Sequence, residues 1–293
     1  MPAKRQKAGE LVAVPADGSL DLGQTLDSGQ VFHFETTRLG GIEGWAGCLG
    51  ADPVFLAPGG EGAILTRARD VPAVRRFFQL DTPLAEIRAT FPAADAVLEE
   101  AIAHCPGLRI LRQPVWECLA TFITSSLKQV VHIRRMSLAL RRRFGRARRI
   151  GGRVVHAYPE PAALAAAGEA ALRECGLGYR ARGLHRTAEA LASGARDLAE
   201  LEGLDDAAAR AWLMEFHGVG EKVANCVLLF GCGRHGAFPI DVWMDRVLRE
   251  RYFGPRKRKR LTARELQRWA EGHFGPFAGH AQQYLFHFAR KTF

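Results

Sequence analysis

A lysine, an aspartate and a pair of glycines carry the clearest chemistry in this sequence. Phe216-His217-Gly218-Val219-Gly220 separates two apolar-periodic stretches, Ala207–Phe216 and Glu221–Phe230. Gly218 and Gly220 permit positive φ and a close approach of the backbone to whatever lies outside. Their N–H groups, with the N-terminus of the following helix, suit a phosphate. They suit an ordinary αα-corner with a glycine cap equally well. Lys222 falls in the first turn of that second helix. The partial positive charge there disfavours an ammonium and favours the neutral amine that a Schiff-base nucleophile requires. Nineteen residues on, Asp241 follows Phe238-Pro239-Ile240 and opens another helix. A carboxylate there can assist proton transfer and stabilise developing positive charge. Taken singly, Lys222 reads as a phosphate contact and Asp241 as an N-cap.

The elements that position these residues sit in an unevenly charged chain. It has 293 residues, enough for one large or two ordinary domains, and 47% apolar and 25% charged residues, as a packed core requires. Residues 1–100 hold 9 Lys/Arg against 14 Asp/Glu, and residues 101–293 hold 32 against 17, so the net +10 is concentrated in the later part. Such a basic half points to a polyanion, most simply nucleic acid. The bland rival is an Arg-rich proteome: there are 34 Arg, 7 Lys and one Asn. Basic clusters stand at Arg134, Arg135, Arg141–Arg143, Arg146, Arg148 and Arg149, and at Arg256–Arg260. No run of 18 apolar residues suggests a membrane span, and Met1–Glu10 does not resemble a secretory signal. The six cysteines form no C-x-x-C pair, so reduced thiols rather than a zinc site are expected. These features place the protein in the cytoplasm, at the nucleoid in a bacterium and in the nucleus in a eukaryote.

Residues 1–10 are expected to be disordered. Short strands are expected at Leu11–Val14, Leu20–Leu22, Val31–Thr36, Trp45–Leu49, Val54–Leu56 and Ala63–Thr66, separated by turn formers such as Ser28-Gly29 and Gly40-Gly41. Helical spacing begins at Val71, and almost no strand signal follows Pro106-Gly107. Helices are expected within Trp116–Phe144, then at Ala162–Cys175, Arg182–Ala192, Ala207–Phe216, Glu221–Phe230, Asp241–Arg251, Leu261–Phe274 and Ala278–Lys291. The fold class is therefore α+β: a small antiparallel β-rich domain (11–105), then a large α-helical domain (106–293).

Gly218-Val219-Gly220-Glu221-Lys222-Val223-Ala224 followed by Pro239-Ile240-Asp241 resembles the helix-hairpin-helix-GPD superfamily of base-excision DNA glycosylases. More closely, the chain resembles the 8-oxoguanine DNA glycosylase/AP lyase family. Leu20-Asp21-Leu22 and Ser28-Gly29-Gln30-Val31-Phe32 are similar to its N-terminal signature, and Arg109–Gln113 through Ser125-Ser126 to the segment entering its helical domain. Leu177-Gly178-Tyr179-Arg180-Ala181 is similar to its wedge motif, and Gly275-Pro276-Phe277-Ala278-Gly279 through Leu285-Phe286 to its last helix.

The resemblance implies that Lys222 attacks the sugar of a flipped nucleotide, with Asp241 assisting, in duplex DNA carrying oxidised guanine. It implies that the Gly29 carbonyl accepts N7–H of 8-oxoguanine, that Cys226 and Phe286 sandwich the base and that Gln282 reads its edge. Tyr179 would wedge into the stack, Arg180 would face the opposite cytosine, and Gly218, Val219 and Gly220 would hold phosphate. A monomer needing no metal or other cofactor is implied. Leu127 and His132 replace an asparagine and an arginine that read the opposite base in eukaryotic members, and Trp243 replaces a histidine near the lesion phosphate. Weaker cytosine preference is expected, with Leu127 and His132 still at the DNA. A glycosylase for another damaged purine, and a non-catalytic DNA- or RNA-binding protein, are the alternatives. An iron–sulfur relative is disfavoured because no Cys follows Cys232.

Overall fold

The computed structural model describes residues 10–16, 20–125, 129–254 and 260–292. In chain order these form β1 (Leu11–Val14), α1 (Leu22–Asp27), β2 (Glu35–Leu39), β3 (Ile42–Leu49), β4 (Asp52–Pro58), β5 (Ile64–Arg67), α2 (Val71–Phe78), α3 (Leu84–Arg88), α4 (Ala96–His104), α5 (Val115–Ser125), α6 (Val130–Phe144), β6 (Ala147–Ile150), β7 (Arg153–His156), α7 (Pro161–Leu172), α8 (Arg180–Ala192), α9 (Asp206–Met214), α10 (Glu221–Phe230), α11 (Val242–Val247), α12 (Ala263–Phe274) and α13 (Ala278–Thr292). The α+β expectation holds: an antiparallel sheet comes first and a helical assembly follows.

The first five strands pair in the order β1-β5-β4-β3-β2. Strand periodicity sends alternate residues to opposite faces, and here both faces are covered. Val54 and Leu56 pack with Phe34, Val74, Phe77 and Phe78 on one side. Phe55 and Ala57 pack with Ile150, Val155 and Ala157 on the other. Those last residues belong to the β6–β7 hairpin and its exit, so a later segment completes the first domain's core.

That hairpin corrects the expectation of almost no strand after Pro106-Gly107. Its Gly151-Gly152 turn lies at positive φ and joins β6 to β7 in antiparallel register. The first domain departs too. Leu20–Leu22 is not a strand, because Asp21 accepts the Gln24 amide at 2.8 Å and caps α1. Val31–Phe34 is buried outside the ladder, and β2 begins at Glu35. Single π-type turns cut α7 short at Leu172 and α11 short at Val247. Residues 1–9 and Arg256–Lys259 lie outside the described residues, so the expected N-terminal disorder and most of the second basic run do too.

Two helical cores flank the site. One gathers Phe122 of α5, Leu184 of α8 and Val223 and Val227 of α10. The other gathers Leu98 and Ala101 of α4, Met244 of α11, Leu266 of α12 and Leu285 of α13. Thus α4, within 11–105, joins the core of the helical part.

Part of the first basic cluster makes contacts within the chain. Arg141 is buried in an ion pair with Glu117, donates to the His156 carbonyl at 3.2 Å and lies over the Tyr158 ring. Arg142 pairs with Glu35, Arg143 with Glu174, and Arg148 donates to the Ala51 carbonyl. Arg135, Arg146 and Arg149 remain exposed. Among the described residues, no helix is long and apolar enough to cross a membrane.

Candidate active site

The hairpin is built as a capped corner. Asp205 accepts the Ala208 amide at 2.8 Å and starts α9, and Gly218, at φ 86°, reverses the chain into α10. Phe216 and Val219 are buried and anchor the turn, while Gly218 and Gly220 face outward. The Val219 amide donates to the Phe216 carbonyl at 3.1 Å, so it is committed within the turn. The outward donors are those of the α10 N-terminus, which a helix leaves without internal acceptors.

Lys222 projects from that first turn toward the end of α5. Its Nζ donates to Ser125 Oγ at 3.2 Å and lies 5.1 Å from the centroid of the Phe122 ring. Cys226 follows one turn along α10 and is buried. Burial pushes its thiol up to about 11, against the pull of the Lys222 charge. Asp241 is the N-cap of α11, where Oδ1 accepts the Met244 amide at 2.9 Å. Burial raises its carboxyl above the usual aspartate range, while the Met244 amide and the Lys222 charge act in the opposite direction. The amine and the carboxylate thus open two helices and face one another's field.

A second group gathers around Gly29. Gly29 adopts φ 84°, and a Cβ there would stand 3.1 Å from Cε1 of Phe286. The 28–30 loop is pinned by buried amides. Gln283 donates to the Ser28 carbonyl at 2.8 Å, and Gln30 donates to Ser28 Oγ and to the Arg109 carbonyl, both at 2.8 Å. Gln113 in turn donates to the Gln30 carbonyl at 2.9 Å. The start of α13 reaches α10 because Gly279 has no side chain: a Cβ would fall 2.3 Å from Leu229 Cδ1. One turn before Phe286, Gln282 is buried, and its Oε1 has no hydrogen-bond partner among the described residues.

Of the remaining expected contacts, Tyr179 and His132 are exposed, Arg180 is buried and Leu127 lies outside the described residues. Tyr179 is 61% exposed ahead of α8. Arg180 is only 7% exposed, its guanidinium 4.3 Å from the Tyr179 ring centroid. His132 is exposed in the first turn of α6. Trp243 is half-buried, and Val242, beside Asp241, is 71% exposed. Among the described residues, no group of three or more His, Cys, Asp or Glu could hold a metal ion.

Sequence reasoning assigned no role to Ser125, Phe122 or Gln283. Only a weak signal marks the first: it is the last residue of α5, on a helix that also carries the Thr121 and Thr124 hydroxyls.

Comparison with known proteins agrees along the chain. Residues 13–119 match the model of the 8-oxoguanine DNA glycosylase N-terminal domain, and residues 122–271 that of the HhH-GPD superfamily of base excision DNA repair proteins. An N-glycosylase/DNA lyase of Arabidopsis thaliana is 31% identical over 91% of this chain and 76% of its own length. A probable N-glycosylase/DNA lyase of Methanothermobacter thermautotrophicus is 32% identical over 68% of each chain. The 8-oxoguanine glycosylase/lyase of Clostridium acetobutylicum, solved with duplex DNA containing cytosine opposite 8-oxoguanine, superposes with a TM-score of 0.85. It is 25% identical and covers 96% of this chain and 98% of its own.

Proposed function

The chain belongs to the 8-oxoguanine DNA glycosylase family of the HhH-GPD superfamily, and from that premise we infer how its own residues excise oxidised guanine from duplex DNA and nick the strand. The outward end of the hairpin holds a phosphate by backbone amides, which reads no sequence. The damaged nucleotide is flipped out of the stack toward Gly29 and Phe286. The Gly29 carbonyl takes the N7–H that guanine lacks, and Gln282 supplies its unpartnered Oε1 to the base edge.

Lys222 Nζ then attacks the sugar C1′. The bond to the base breaks and the base leaves with the electron pair, through a transition state with positive charge on the sugar. Asp241, ionised, stabilises that charge. Loss of the amine protons and opening of the sugar give an imine, and removal of a C2′ proton expels the 3′ phosphate by β-elimination. Tyr179 fills the gap on the duplex, and Arg180 and His132 face the strand opposite. We read the protein as a monomer acting on chromosomal DNA.

The observation that carries this reading is the Lys222 amine, held by Ser125 and Phe122 at the mouth of α10 in the field of Asp241. The test is base release from duplexes carrying 8-oxoguanine, an alkylated purine or no lesion. Release confined to oxidised guanine supports it. Release of the alkylated purine alone would reassign the substrate.

A further inference from the structure

Ser125 has a hydrogen-bonding arrangement whose consequence goes beyond holding α5 together. Its Oγ donates its single proton to the Phe122 carbonyl at 2.8 Å, and it is only 5% exposed. A hydroxyl has one donor and two acceptor lone pairs. With the donor committed, what Ser125 presents to Lys222 Nζ at 3.2 Å is acceptor only. It can take an N–H from the lysine, but it cannot donate into the amine's lone pair. The Phe122 ring, 5.1 Å from Nζ, adds a second contact to the amine.

We propose that Ser125 is a positioning residue for the nucleophile: it fixes the Lys222 amine by accepting one N–H while leaving its lone pair free for the sugar carbon. This rests on the reading of Lys222 as the nucleophile. Attack geometry is sensitive to displacement, and misplacing a reacting group by about 1 Å costs on the order of a hundredfold in rate. A Ser125→Ala variant frees the amine to wander without removing a charge.

The experiment follows borohydride trapping of the full-length protein on a duplex carrying an abasic site, which needs no base excision. In parallel it measures affinity for a duplex with a stable abasic analogue. Ser125→Ala is expected to trap about ten- to a hundredfold more slowly with unchanged affinity, and Ser125→Thr, which keeps the hydroxyl, to recover most of the rate. Trapping by Ser125→Ala at the wild-type rate overturns the proposal while leaving Lys222 as nucleophile. So does an equal loss of rate and affinity, or a Ser125→Thr variant no faster than Ser125→Ala. Absence of trapping by the wild type itself overturns the nucleophile reading and this proposal with it.

Discussion

The Lys222 charge acts on the buried Asp241 carboxyl without pairing with it: among the described residues no ion pair within 4.0 Å joins the two. Direct contact would tie up the amine as an ammonium. Each projects from the start of its own helix.

Asp241→Asn separates these roles. Asparagine caps helices about as well as aspartate, so the Met244 contact survives and the fold with it. Single-turnover excision should fall by orders of magnitude while affinity for a lesion duplex barely changes. Parallel losses would mean that Asp241 acts mainly as a cap.

The same residue predicts a pH dependence of stability. Burial raises its carboxyl in the folded state, so the folded form binds its proton more tightly than the unfolded chain does. That favours folding below the ordinary aspartate range and is lost as pH rises through the raised value. At neutral pH the ionised side chain is therefore a stability cost. The melting temperature of Asp241→Asn minus that of the wild type should be higher at pH 7.5 than at pH 4. A lower melting temperature at pH 7.5 but not at pH 4 would contradict this.

Gly29→Ala should uncouple the two activities. The backbone there is at φ 84°, and a methyl group meets Phe286 at 3.1 Å, so the loop or the ring must shift. Excision of 8-oxoguanine should drop at least tenfold, while cleavage of a preformed abasic site persists. Equal losses would place the damage outside base recognition.

The resemblance implies that His132 and Leu127 replace polar readers of the opposite base, and on that expectation opposite-base discrimination should be weak. Excision rates against each of the four opposite bases check this, and strong cytosine preference would refute it.

Glu117→Ala tests the fold itself. It leaves the Arg141 guanidinium buried without its carboxylate, a change that costs about 3–5 kcal/mol. Denaturant melts should show it, and a change below about 1 kcal/mol would mean that the pair behaves as an exposed one.

The site was more legible than parts of the fold. Lys222, Asp241 and the glycine corner announce themselves because local rules fix them: a cap, a first helical turn, a reversal needing φ above zero. What sequence could not supply is long-range. Strands β6 and β7 form because their Ile150 and Val155 cover a sheet about a hundred residues earlier in the chain, and Arg-rich flanks hide the pattern. Asp21 looked like part of a strand until its side chain is seen capping α1. Arg141 carries a charge that composition assigns to DNA, whereas its partner Glu117 lies 24 residues earlier. Ser125 meets Lys222 across 97 residues, and no spacing rule connects them.

Mass mapping of the borohydride-reduced complex with an 8-oxoguanine duplex addresses the covalent step most directly. The deoxyribose remnant should reside on the peptide containing Lys222 and vanish in Lys222→Gln. A remnant on any other amine, or an equal yield of adduct from Lys222→Gln, would contradict the account.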